Sequence, residues 1–119
     1  MGGSASQSKG AMAAVSEAGL FRTSIESEVD PIPVNAIHAW KLHIETSAGQ
    51  PVTDAVITID GGMPAHGHGL PTEPKVTQNL GGGDYLVEGM KFHMQGQWVV
   101  TFQITAGNRE DTVTFEFGL

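Results

Sequence analysis

The sequence predicts an all-β chain, an immunoglobulin-like antiparallel β-sandwich of about seven strands. Three observations carry the prediction. Runs such as HAWKLHIET (38–46) and WVVTFQITA (98–106) alternate apolar and polar residues with the two-residue period of a half-buried strand. Gly, Pro and Asn clusters separate these runs at close spacing. No stretch has a convincing helical apolar face. Short strands joined by turns and lacking helices pack as a sandwich, with a small closed barrel as the alternative.

The elements follow in order. Residues 1–19 are small and polar and read as a disordered leader, leaving 20–119 as the single domain. Met1 to Lys9, MGGSASQSK, has no apolar signal core. Ala11 to Ala18 has the composition for a short helix but no apolar face. Leu20 to Val29 is the first expected strand, ended by Asp30-Pro31-Ile32-Pro33, which forces extended or turn backbone. Ile37 to Thr46 follows, with His38, Trp40, Leu42 and Ile44 inward and His43 outward in solvent. After the turn Ala48-Gly49-Gln50-Pro51, the strand Ala55 to Asp60 enters a Gly/Pro-rich segment from Gly61 to Thr77, expected as a loop. Lys75 to Leu80 and Tyr85 to Met90 form two strands about Gly81-Gly82-Gly83-Asp84. Trp98 to Ala106 and Glu110 to Phe117, joined at Gly107-Asn108, close the sheet.

Composition narrows the function. With 119 residues the chain suits one modest core. The net charge is −7, and six Lys and Arg placed singly make no basic face, so nucleic acid is not an expected partner. Cysteine is absent, which excludes disulfide and thiolate–zinc frameworks and leaves Met and His as the soft or borderline ligands. No nucleophile elbow, phosphate loop or His-Glu-x-x-His helix occurs, and no carboxylate pair can be placed across a cleft. An enzyme is therefore not expected.

The segment GGMPAHGHGLPTEPKVT (61–77) concentrates the remaining chemistry. His66 and His68 lie one residue apart, so an extended backbone puts both rings on one side. Neutral imidazole suits copper, zinc or nickel, and the thioether of Met63 shifts the preference toward Cu(I). The competing reading has these histidines hydrogen-bonded to loop carbonyls, holding the loop's shape. A second Met/His segment is GMKFHMQGQW (89–98), in which Met90 and Met94 are either soft ligands or core filler. His93 is on the opposite parity to Phe92 and Met94 and is expected to be exposed. His38 is either a satisfied core residue or a partner to the Gly61 loop. Acidic ligands are scarce there, Glu73 apart, which disfavours calcium and magnesium.

Taken together, Pro31-Ile-Pro, His38-x-Trp40, Gly49-x-Pro-Val, Met63-Pro-x-His66-Gly-His68-Gly-Leu-Pro-Thr72, Gly83-x-Tyr85 and Gly89-Met-x-Phe92-x-Met94-x-Gly-x-Trp98 resemble the bacterial YtkA-like/FixH-like domain family. The match runs from about residue 25 to 104. The resemblance implies an immunoglobulin-like sandwich, periplasmic or tethered outside the inner membrane. It also implies an association with copper handling or respiratory-oxidase assembly. On that view the native signal or anchor lies outside this sequence, and the partner is a periplasmic or membrane-bound copper or oxidase assembly protein. By position it marks His38, Met63, His66, His68 and Met94 as metal residues, and it leaves out His93. The expected function is a non-catalytic extracytoplasmic carrier of copper, Cu(I) or Cu(II). The alternative is a metal-free module that binds a protein or small ligand through the same loop.

Overall fold

A computed structural model describes residues 10–119. Of the leader expected over residues 1–19, residues 1–9 lie outside the described residues. Two antiparallel sheets pack face to face, and no α-helix occurs among the described residues. The five-stranded sheet contains β1 (Ala11–Val15), β2 (Phe21–Ser27), β3 (His38–Thr46), β7 (Asp84–Met90) and β6 (Lys75–Gly81), in that order across it. The four-stranded sheet runs β5 (His68–Gly69), β4 (Val56–Met63), β8 (Gln97–Ala106) and β9 (Arg109–Gly118).

All seven expected strands are present, and their inward faces are those the alternation predicts. Trp40, Leu42 and Ile44 on β3, Tyr85 and Val87 on β7, Val100, Phe102 and Ile104 on β8, and Val113, Phe115 and Phe117 on β9 are all buried. Trp40 joins the layers, its ring centre 6.4 Å from Phe102 and 5.9 Å from Phe117 on the facing sheet. Tyr85 is buried to its hydroxyl, which donates to the Val52 carbonyl (2.6 Å) and accepts from the Ala55 N–H (2.9 Å). That pair of bonds fixes the approach to β4. Burial of the ring raises the Tyr85 pKa.

Two strands were not foreseen. Residues 10–19, expected in a disordered leader, include β1, which pairs with β2 from Ala11↔Glu26 to Val15↔Arg22. The helical wheel of this stretch has no apolar face, whereas the extended backbone it adopts turns Met12 and Ala14 onto the core. The turn that follows is held from the other sheet. The buried Asp111 carboxylate on β9 accepts from Ser16 Oγ (2.6 Å) and from the Ala18 (3.0 Å) and Leu20 (3.3 Å) amides. Desolvation by itself would raise the Asp111 pKa, but these hydrogen bonds and that of Thr112 N–H outweigh it and hold the pKa below the usual carboxylate value.

The second addition lies inside the expected loop. β4 continues through Gly61 and Gly62 to Met63, turns once in a 3-10 segment, Pro64–His66, and returns as β5, with Met63 opposite His68. Gly and Pro were expected to end the strand. Gly61 and Gly62 instead allow it to go on. A Cβ on Gly62 would stand 2.1 Å from the His68 carbonyl oxygen, and one on Gly61 2.5 Å from that of Val99. Only a residue without a side chain lets the backbones approach so closely.

Candidate metal site at the sandwich rim

Two connections meet at one end of the sandwich. The first is the β4–β5 hairpin. Its turn closes at Gly67, whose φ of 65° is left-handed backbone that glycine adopts without strain. His66 and His68 flank that glycine, and both are exposed.

The second is the β7–β8 connection, and it is anchored from below. Phe92 is fully buried, with its ring centre 5.2 Å from Trp98, 5.3 Å from Phe117 and 5.9 Å from Trp40. Burying such a ring contributes about 1.5–3 kcal/mol. Trp98 Nε1–H donates to the Met94 carbonyl (3.0 Å), and the amides of Gly96 and Leu119 each donate to the other's carbonyl at 2.9 Å. With Phe92 seated in the core, His93 emerges at the rim, its ring edge-on to Trp98 with centres 5.5 Å apart.

The two connections bring three imidazoles into a row. The ring centres of His66 and His68 are 6.0 Å apart, and those of His68 and His93 are 6.1 Å apart. Among the described residues none of these three rings makes a hydrogen bond to protein, and the Nδ1 atom of His93 is buried with no partner at all. A desolvated imidazole nitrogen without a partner is an exception to the rule that buried polar groups are paired. Two imidazoles sharing one tetrahedral ion through nitrogens at about 2.0–2.1 Å place their ring centres roughly 5 Å apart. The row is about 1 Å looser than that at each step. Accordingly, among the described residues no three His, Asp or Glu side chains stand close enough to hold an ion as they are. Closing the gap requires the two exposed rings, His66 and His68, to turn about their side-chain bonds.

The other residues singled out in the sequence lie elsewhere. Met63 is 1% exposed, and its methyl group crowds Gly96 so closely that a Cβ there would stand 2.3 Å from it. It is a strut between the two connections. Met90 is core filler, and Met94 is 38% exposed, against the expectation that it shares an inward face with Phe92. His38, a candidate ligand by resemblance, is buried with both nitrogens engaged. Its Nδ1–H donates to the Ala36 carbonyl (2.9 Å), and its Nε2 accepts from Trp40 Nε1–H (3.1 Å). Desolvation lowers its pKa, against the opposing pull of the Ala36 carbonyl and Glu28. With its lone pair taken by Trp40, His38 is structural.

Two expectations change for the other histidines. His93 is half-buried rather than exposed. Parity placed it outward, but the irregular turn folds it against Trp98, and Trp98 at the start of β8 was the available signal. His43 is also tied down, bridging Asp84 (2.6 Å) and Glu45 (2.9 Å) across the outer face. Partial burial would lower its pKa, but the hydrogen bonds and charges of Glu45 and Asp84 together raise it.

Comparison with known proteins agrees with this architecture. The YtkA-like family profile matches residues 22–103, and the chain belongs to that family. A solved structure of a DUF4426 family protein from Pseudomonas aeruginosa PAO1 superposes with a TM-score of 0.64, covering 92% of this chain and 94% of that one at 16% identity. At that identity the likeness is one of fold. No curated protein matches the chain.

Proposed function

We propose that the chain is a non-catalytic, extracytoplasmic copper-binding carrier or assembly module, and that the rim histidines His66 and His68 hold the ion. The observation that supports it most is the contrast in how imidazoles are used. The two histidines within the sheet have every nitrogen engaged, whereas the rim row has no protein hydrogen bond among the described residues. Imidazole suits copper better than the other common divalent ions. The row is loose and close to solvent, which suits an ion handed on rather than one locked in. Export and a copper- or oxidase-assembly partner are part of the same reading, drawn from family resemblance.

The test is a copper titration of the wild type and of His66→Ala and His68→Ala. Sub-micromolar binding that both substitutions abolish supports the carrier. Weak binding that neither changes contradicts it.

One observation favours a second reading, a metal-free binding module. β4 is paired on its outer side only at Gly62 and Met63, and β6 is paired only with β7. Between these edges lies a cleft of about 660 Å³ lined in part by Ile57, Ile59, Leu70 and Val76. Unpaired edges of this kind accept an added strand. This reading predicts peptide binding that survives both histidine substitutions.

A further inference from the structure

We infer that the ion at the rim is held by three imidazoles, His66, His68 and His93, without a thioether, and that the site therefore takes Cu(II) in preference to Cu(I). The inference rests on the metal-carrier reading and gives it a ligand set and an oxidation state.

Three observations carry it. First, His93 completes the row: its ring lies as near to His68 as His66 does, at 6.1 Å against 6.0 Å. Second, His93 Nδ1 is the one buried side-chain nitrogen or oxygen among the described residues that has no hydrogen-bond partner. A buried polar atom without a partner is an exception to the rule that such atoms are paired, and a bound cation would supply the missing partner. Third, the thioethers are differently placed. Met63 is closed into the core against Gly96, and drawing its sulfur outward would open a void between the two connections. Met94 stands exposed at a bend and is held only through its main chain by Trp98. The connection that carries His93 is fixed by Phe92 in the core, so it is the pair on the glycine hairpin that moves to close the site.

Chemistry then sets the ion. Nitrogen donors favour Cu(II), and thioethers are what draw a site toward Cu(I). An ion bound without sulfur has lost that bias.

Electron paramagnetic resonance of the wild type with one equivalent of Cu(II) tests the ligand count directly. Superhyperfine structure from three nitrogens is expected, falling to two in His93→Ala. Cu(II) affinity in His93→Ala should fall by at least about tenfold, since removing even an outer partner of a ligating histidine costs about 10–100-fold. Met63→Leu and Met94→Leu should leave Cu(II) affinity unchanged, and Cu(I) measured against a competing chelator should bind more weakly than Cu(II). Should His93→Ala fail to fold, the wild-type spectrum still counts the nitrogens. Copper binding with a two-nitrogen spectrum, or Cu(I) binding tighter than Cu(II) and lost in Met94→Leu, overturns this inference and leaves the carrier standing. Absence of any copper binding overturns both.

Discussion

His38 and His93 lie at the same end of the molecule, His38 against Trp40 and Phe92 and His93 against Trp98. His38 packs 5.8 Å from Phe92, and His93 is the next residue after it. His38 is buried and His93 half-buried with its Nδ1 buried, yet the outcomes differ. Trp40 and the Ala36 carbonyl saturate His38, whereas His93 keeps a buried nitrogen with nothing to bind. The lesson is that burial alone does not separate a structural histidine from one whose lone pair stays open. What separates them is whether the protein has already used the lone pair.

Substituting each side of this pair should separate stability from binding. The largest effect is expected for His38→Ala, which leaves a cavity and orphans the Trp40 N–H. It should cost about 2–5 kcal/mol in urea unfolding. Copper affinity, measured on the protein that remains folded, should not change. His66→Ala should do the reverse, moving stability by no more than about 0.5 kcal/mol while removing binding. Copper should also stabilise the wild type by mass action, by about 2.7 kcal/mol at a hundredfold excess over Kd, and not the His66→Ala/His68→Ala variant. Gly62→Ala sharpens the contrast without touching a ligand. Its Cβ collides with the His68 backbone, so it should cost about 1–3 kcal/mol and weaken copper binding together.

The smallest expected effect is on pH dependence. The raised pKa of His43 means that its contribution is complete below about pH 6.5 and is lost as pH rises through the folded-state value. His38 has the opposite sign: its lowered pKa gives a contribution present above about pH 6.5 and lost as pH falls through the folded value. Stability measured across this range should lose its alkaline decline in His43→Gln and its acidic decline in His38→Gln.

The fold was legible because strand alternation and burial are local. Trp40, Phe102 and Phe115 declare their faces within a few residues of sequence. β1 was hidden because Ala11–Val15 is held by pairing with β2 and by a carboxylate 95 residues from Ser16, neither of which leaves a local pattern. At the rim, His66 and His68 were legible from their spacing. His93 was misplaced because parity holds for regular strand, and the connection after Met90 is irregular. The fate of His38 was legible only as an alternative, since the Trp40 bond that occupies it runs between neighbours on one face and looks the same in sequence as an open ligand.

The most direct test of the contrast among the five histidines is paramagnetic broadening of the backbone amide spectrum by substoichiometric Cu(II). Signals from residues 66–68 and from His93 to Gln95 should disappear first, with the strand around His43 broadening last. Early loss of signals at His43 and Asp84, or uniform slight broadening with no focus at the rim, would contradict the account.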